Sequence, residues 1–233
     1  MSDKPIKPRI NPWSIWIPII IIVLGVVVLY NYLVIQTMRR EKDRPAYYSR
    51  LEHNLDELTE RSGKNVALND LRGKVILMAY VYTSCPRGCS MIVEEMKHVY
   101  DEFAPNHPGF QIVSFTIDPD DTPANMKKFA ESRGITKDNW WFVNGPKNQV
   151  RNFLTYDVKF YDVKEIPEKD RFSPADKYEH DMRVALIDGE GHVRGMYNII
   201  NPDPEFQKMD REKLRKDLAY LLAEQEKPAA KKP

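Results

Sequence analysis

The chain has 233 residues, of which 42% are apolar and 30% are charged, and its formal net charge is +1. This length fits one ordinary domain with additional segments. The near-zero net charge gives no indication of a nucleic-acid partner. The chain contains only two cysteines and five histidines, so any thiol or metal chemistry depends on few side chains.

The first feature along the chain is an uncharged stretch at 10–38. About 20 apolar residues suffice to cross a bilayer as a helix. Trp and Tyr residues stand near its two ends, where such rings favour the headgroup region. The stretch exceeds the apolar part of a signal peptide. We therefore predict a short N-terminal tail at 1–12, a transmembrane anchor at 13–37 in contact with membrane lipid, and a charged tether at 38–50.

Basic residues flank the anchor on both sides, so charge alone does not set its orientation. These residues are Lys4, Lys7, Arg9, Arg39, Arg40, Lys42 and Arg44. The N-terminal tail is too short for an Arg- and Ser-rich transit peptide. We interpret the chain as a single-pass protein of a bacterial inner membrane.

One domain is predicted at 51–223, and it begins with a short hairpin that turns at Ser62-Gly63. A nearly continuous apolar run at 74–82 is typical of a central strand that is covered on both faces. The segment 91–103 follows with a one-sided apolar stripe, which indicates a helix. A second strand is predicted at 110–117.

Helices and strands continue to alternate in the rest of the domain. Thr122 and Pro123 open a helix that Gly134 ends. A short strand and a short helix follow, then a hairpin and a C-terminal helix. Their predicted ranges are 140–143, 147–154, 182–187 with 192–197, and 204–223. A polar tail at 224–233 is predicted to be disordered. This order predicts an α/β fold with a mixed central sheet.

Cys85 and Cys89 stand directly after the apolar strand and open the following helix. In a roughly helical turn both sulfurs lie on one side, so they can bind one soft metal ion or each other. The N-terminus of a helix favours thiolate over thiol. A sulfur pair at the C-terminal end of a central strand is the layout of a thioredoxin-like domain.

Two thiolates alone make an incomplete metal site, so the histidines become candidates for a third ligand. Four of them lie too far along a helix, in a loop, after the tether or at a hairpin turn: His98, His107, His53 and His192. His180 precedes the strand at 182–187. If that strand lies beside the cysteine strand, its preceding loop faces the cysteine turn. His180 is therefore the candidate, with a surface loop histidine as the alternative.

Residues 83–89 resemble the active turn T-x-C-P-x-x-C-P of the Sco/SenC family of copper chaperones, with Ser90 in place of the last proline. Gly73-Lys74-Val75 matches the G-K-V entry to the family's cysteine strand. The segment 118–123 is similar to the family's D-P-x-x-D-T-P, shortened by one residue. The spacing from His180 to the turn glycine is also similar, although Glu179 and Asp181 depart from the usual neighbours. The resemblance covers 68–197.

The resemblance implies that Cys85, Cys89 and His180 bind Cu(I), Cu(II) or both. It further implies a metallochaperone, rather than an enzyme, whose domain faces the periplasm. The recipient would be the binuclear copper site of cytochrome c oxidase subunit II or another copper acceptor. Soft thiolates select Cu(I), and a further ligand would also allow Cu(II).

Other functions remain open at this point. A membrane-anchored thiol–disulfide oxidoreductase would use Cys85 and Cys89 as its catalytic pair. It would act on the same or a similar partner. A copper or redox sensor is a third possibility.

Two further groups of residues are interpreted as structural. The methionines Met91 and Met96 are predicted to be core side chains. The acidic residues Asp118, Asp120 and Asp121 are predicted to end a strand and lead into a helix cap.

Overall fold

The computed structural model describes residues 13–226, and the chain divides into two compact units between residues 44 and 45. The first unit holds helix α1, Trp13–Asp43. Its segment Ile15–Met38 has 24 residues and is long and apolar enough to cross a membrane, by length and composition. At 1.5 Å per residue this segment spans about 36 Å. The predicted apolar helix is confirmed, and it extends past residue 37. The tail predicted at 1–12 lies outside the described residues.

The described part of the second unit contains ten strands and four α-helices. The strands are β1 (Ser49–Arg50), β2 (Leu58–Glu60), β3 (Asn65–Val66), β4 (Val75–Val81), β5 (Phe110–Thr116), β6 (Trp140–Asn144), β7 (Lys164–Glu165), β8 (Tyr178–Glu179), β9 (Val184–Ile187) and β10 (His192–Tyr197). The helices are α2 (Cys89–Phe103), α3 (Pro123–Glu131), α4 (Lys147–Asn152) and α5 (Pro204–Gln225).

Eight of the strands form one mixed sheet in the order β1-β10-β9-β4-β5-β6-β2-β3. Strands β4, β5 and β6 are parallel to one another. The remaining pairs in this sheet are antiparallel. Strands β7 and β8 form a separate two-stranded sheet. The predicted α/β class with a mixed central sheet is confirmed.

Strand β4 lies inside the sheet, and all seven of its residues are buried. Because side chains alternate along a strand, Leu77 and Ala79 face one core, which α2, α3 and α5 cover. Met78 and Tyr80 face a second core, where they meet Phe153 and other apolar residues. A strand that is buried on both faces must be apolar throughout, which explains the continuous run in the sequence.

Several local predictions are confirmed by the backbone. The Thr122 side chain caps α3 by accepting a hydrogen bond from the Asn125 N–H at 3.2 Å. Gly63 has a φ of +85° in the turn between β2 and β3, a conformation that glycine adopts without strain. Helix α2 begins at Cys89, so the second cysteine occupies its first turn.

The segment at 45–53 differs from the predicted tether because much of it is bound to the sheet. Ser49 belongs to β1, which pairs with β10. Its hydroxyl donates a hydrogen bond to the carbonyl oxygen of Asp157 at 2.6 Å. The buried Asp157 carboxylate accepts hydrogen bonds from the backbone N–H groups of Glu52 and His53 at 2.6 and 2.9 Å. A two-residue strand has no periodicity from which it could be predicted.

The C-terminal helix α5 is slightly longer than predicted and ends at Gln225. The Gln225 side-chain amide donates hydrogen bonds to the carbonyl oxygens of Gly73 and Gly109. The first residues of the predicted disordered tail are therefore helical. Residues 227–233 of that tail lie outside the described residues.

Candidate metal centre

The pairing of β9 with β4 brings the candidate ligands together. The two strands are antiparallel, with Ala79 opposite Val184. The residues before β9 therefore lie beside the C-terminal end of β4, where the cysteine turn begins. The ligand atoms of Cys85, Cys89 and His180 lie within 4.8 Å of one another, and they form the one such group of three among the described residues. The predicted proximity of the His180 loop to the cysteine turn is confirmed.

The backbone fixes the orientation of the His180 ring. Its Nδ1 lies 2.8 Å from the carbonyl oxygen of Asp181. A carbonyl oxygen only accepts, so Nδ1 carries the hydrogen and Nε2 presents its lone pair. Nε2 lies 3.3 Å from the Cys89 Sγ. A partner on one ring nitrogen that directs the other toward a ligand is typical of metal-binding histidines.

The two thiols differ in exposure and in acidity. Cys85 is half-buried, whereas Cys89 is 0% exposed. The hydrogen bond from the Cys89 thiol lowers the pKa of Cys85 well below its usual range, and the backbone N–H groups of Cys89 and Arg87 act in the same direction. Burial and the neighbouring Cys85 raise the pKa of Cys89. Cys85 is therefore the more acidic of the two thiols, and the pair loses its first proton there.

An ion pair connects the cysteine turn to the His180 loop. Arg87, between the two cysteines, donates from Nε and one terminal nitrogen to both carboxylate oxygens of Asp176, at 2.5 and 2.6 Å. Asp176 is 0% exposed. Its pKa is lowered chiefly by the hydrogen bond from Arg87. The Arg87 guanidinium also lies 4.8 Å from the centre of the Phe172 ring. Bidentate pairs of this kind fix geometry as well as charge.

The acidic segment after β5 has a larger role than the strand end and helix cap that the sequence predicted. The buried Asp121 carboxylate accepts hydrogen bonds from the Thr83 N–H at 3.0 Å and from the hydroxyls of Thr83 and Thr116. Lys177 donates to Asp118 and Asp120, both at 2.9 Å. This segment therefore binds the cysteine turn and the His180 loop at the same time.

Sequence reasoning missed Arg87, Asp176 and Lys177. Each is a charged residue in a loop, and its partner lies far away along the chain. The prediction for Met91 is wrong, because its side chain is 56% exposed in the first turn of α2. Met96 is buried as predicted.

Two thiols and a directed imidazole can perform two kinds of chemistry. They can bind one soft metal ion, or the free cysteines can form a disulfide. Their position at the end of the central strand defines a thioredoxin-like protein with a soft-metal or thiol–disulfide site.

Comparison with known proteins identifies the family. Residues 54–214 match the SCO1/SenC family model. The SCO1 protein homolog of Bacillus subtilis is 29% identical over 146 residues, which are 62% of this chain and 72% of that protein. The chain belongs to the SCO1/SenC family, and the resemblance stated from the sequence is confirmed.

Solved structures share the fold. BsSco, described as a member of the Sco family of cytochrome c oxidase assembly proteins with a disulfide switch, has a TM-score of 0.57 and 24% identity, covering 75% of this chain and 97% of that chain. Bradyrhizobium japonicum ScoI with copper bound has a TM-score of 0.52 and 23% identity, covering 72% of this chain and 98% of that chain.

The first prediction concerns the unequal thiols. At pH 6 an unperturbed thiol, with a pKa of about 8.5, is almost wholly protonated and unreactive. We expect iodoacetamide at pH 6 to modify Cys85 and to leave Cys89 intact in the folded, reduced chain. Trypsin cleaves after Arg87, so mass spectrometry measures the two cysteines on separate peptides. Cys89→Ala removes the main hydrogen bond to Cys85 and should slow this modification. Equal modification of both thiols would contradict the assignment.

The second prediction concerns the ion pair. Asp176→Asn removes the charge that fixes Arg87, and hydrogen bonds to charged groups contribute about 1.5–3 kcal/mol. We expect amide hydrogen exchange in the loop at 172–181 to accelerate by about tenfold, with the exchange of β4 unchanged. Hydrogen–deuterium exchange with mass spectrometry measures both regions. Asp170→Asn, an exposed change nearby, is the control. Unchanged exchange in the loop would show that the ion pair does not hold it.

Proposed function

We propose that this protein is a copper chaperone that binds one copper ion, as cargo, through Cys85, Cys89 and His180. The observation that carries the proposal is the group of three soft ligand atoms within 4.8 Å of one another. Thiolates and imidazole together suit copper, and thiolates select Cu(I). ScoI of Bradyrhizobium japonicum, a protein of the same fold, was solved with copper bound.

The side chains of the site prepare it for a soft cation. Cys85 is the more acidic thiol of the pair and is the first to provide a thiolate. Cys89 releases its proton when the ion binds, since the ligand is the thiolate. His180 offers the lone pair of Nε2 because its Nδ1 hydrogen is bound to the Asp181 carbonyl oxygen. Binding therefore releases a proton, and we expect it to weaken as pH falls.

The half-buried position of Cys85 supports a role in transfer. A structural metal site is closed by four protein ligands, whereas the described residues supply three here, and the site is accessible at Cys85. An acceptor thiolate can approach from that side. We infer that the recipient is the binuclear copper site of cytochrome c oxidase subunit II or another copper acceptor. BsSco is described as a member of a family of cytochrome c oxidase assembly proteins, which supports an acceptor in cytochrome c oxidase.

We further propose that α1 anchors the chain in a bacterial inner membrane and that the domain at 45–226 faces the periplasm. The length and composition of Ile15–Met38 support the anchor.

A thiol–disulfide oxidoreductase is the second candidate function. It is favoured by one observation, the pairing of an accessible Cys85 of lowered pKa with a buried Cys89. Cys85 would attack the disulfide of a partner and Cys89 would resolve the mixed disulfide. BsSco is described as having a disulfide switch.

The third prediction is copper stoichiometry on the reduced full chain in detergent. The wild type should bind about one Cu(I), as a three-ligand soft site requires. Cys85→Ser and Cys89→Ser should abolish tight binding. His180→Ala should weaken it by about tenfold or more, because second-shell losses alone cost about 10–100-fold. His98→Ala, an exposed histidine on α2, is the matched control. Competition with a chromogenic Cu(I) chelator measures all affinities.

Two outcomes distinguish the candidate functions. If the reduced wild type binds no copper, the chaperone proposal fails. The oxidoreductase is supported instead by two results together. The two cysteine variants lose thiol–disulfide exchange activity on a partner while His180→Ala retains it, and the Cys85–Cys89 disulfide is readily reversible.

The fourth prediction concerns location. A thiol reagent that cannot cross membranes should label Cys85 in intact bacterial spheroplasts, because the proposed orientation exposes the domain outside. Cys85→Ser controls for labelling at other groups, and mass spectrometry identifies the labelled peptide. Labelling only after lysis would place the domain in the cytoplasm and contradict the proposal.

A further inference from the structure

Asp181 directly follows the candidate ligand His180 and is itself 4% exposed. Both of its carboxylate oxygens accept hydrogen bonds. The donors are the Tyr161 N–H at 2.9 Å, the Arg183 N–H at 3.0 Å and the Arg183 guanidinium. A buried charge is stable only with such partners. A fully paired carboxylate therefore stands next to the imidazole in the chain.

This carboxylate fixes the local path of the backbone. The hydrogen bond from the Arg183 N–H to Oδ1 spans two residues, which makes an Asx turn. Arg183 immediately precedes β9, whose Val184 lies opposite Ala79 of β4, so the turn continues into the central sheet. The carbonyl oxygen that accepts the Nδ1 hydrogen of His180 at 2.8 Å belongs to Asp181 itself. Holding the Asp181 side chain therefore holds the acceptor of the imidazole.

A second segment of the chain also holds this turn. Tyr161 lies twenty residues before Asp181, and its N–H donates to the Oδ2 atom. The Arg183 guanidinium lies 4.3 Å from the centre of the Tyr161 ring, and a cation over an aromatic face is attracted to it. Arg183 is therefore bound both by the carboxylate and by the ring, which limits the motion of all three side chains.

We propose that Asp181 is a positioning residue of the metal centre. Its carboxylate, paired with Arg183 and Tyr161, holds the backbone carbonyl that keeps the His180 ring in its Nδ1–H form. Nε2 is then directed at the sulfurs before any ion arrives. Asp181 acts through His180 and not as a ligand, because both of its oxygens already accept from N–H donors.

The consequence for copper rests on the proposed function. An imidazole that rotated freely, or that carried its hydrogen on Nε2, would have to reorganise before its lone pair reached the ion. Holding the ring in advance removes that cost, as preorganisation does for binding in general. Loss of a partner that orients a ligating group typically weakens metal binding by about 10–100-fold.

The first experiment needs no metal. In reduced, metal-free full chain in detergent, labelled with ¹⁵N at histidine, NMR shows which ring nitrogen carries the hydrogen, and His180→Ala assigns the signals. We expect the Nδ1–H form in the wild type and a mixture of both forms in Asp181→Ala. Asp181→Asn keeps an oxygen that can accept from the Arg183 N–H, so it should retain more of the Nδ1–H form than Asp181→Ala does.

Asp157→Ala is the matched control. Asp157 is also 4% exposed, and its carboxylate accepts hydrogen bonds from backbone N–H groups of a distant segment, those of Glu52 and His53. These partners lie outside the metal centre. A general loss of stability would affect both variants, whereas a positioning role of Asp181 leaves the His180 signals unmoved in Asp157→Ala.

A second experiment measures copper binding in the same variants. We expect Asp181→Ala to weaken Cu(I) binding by about tenfold or more, and Asp157→Ala to leave it unchanged. If Asp181→Ala does not fold, Arg183→Gln takes its place in both experiments, because it removes the guanidinium and keeps the backbone N–H.

The two experiments separate this inference from the copper proposal. A changed His180 tautomer in a chain whose wild type binds no copper supports the positioning role while the chaperone proposal fails. The inference is overturned if the Nδ1–H form persists in the folded Asp181 and Arg183 variants, or if Asp157→Ala changes the His180 signals equally. It is also overturned if the wild type binds copper and Asp181→Ala binds it equally well.

Discussion

The antiparallel pairing of β9 with β4 is the constraint on which the candidate metal centre depends. It places the residues before β9 beside the end of β4, so that His180 meets two cysteines that lie about ninety residues earlier in the chain. If β9 shifted by one residue, each of its side chains would turn toward the opposite core, and both cores would have to repack. The burial of all four β9 residues between two cores opposes that shift. The same packing that stabilises the sheet therefore fixes the separation of the imidazole from the sulfurs.

Buried carboxylates hold the loops around the site in position. Asp121 accepts a hydrogen bond from Thr83 at the start of the cysteine turn. Asp176 pairs with Arg87, which connects the His180 loop to the cysteine turn. Asp118 pairs with Lys177, which connects the acidic segment to the His180 loop. A buried carboxylate is stable only when it is fully paired. Loops generally bury less apolar surface than strands. These loops are held in position because moving one of them would leave a buried carboxylate without its partner, which costs free energy. Cys85 and His180 lie on loops and Cys89 lies in the first turn of α2, and hydrogen bonds and ion pairs hold these loops at several points.

The sequence predicts the sheet well, because β4 and β5 are apolar runs and α3 and the β9–β10 hairpin carry clear caps and turns. Cys85 and Cys89 can be predicted as site residues because they are close in the sequence and follow a central strand. His180 can be predicted only on the assumption that the strand after it lies beside the cysteine strand. The sequence could not predict contacts between irregular segments that are far apart along the chain. The Arg87–Asp176 pair and the Asp157 contacts with 49–53 depend on chain paths that only the folded sheet defines. The apolar neighbours of Met91 predict a core position, but its side chain is exposed.

The unequal exposure of the two sulfurs imposes an order of events. Cys89 is sealed under the turn, whereas Cys85 reaches solvent. Any incoming thiol, whether it exchanges a metal ion or a disulfide, meets Cys85 first, and Cys89 acts only after that encounter. Exchange at this site is therefore sequential and enters from one side. A partner needs only a single sulfur in reach to begin, and the buried sulfur retains its hold until the last step.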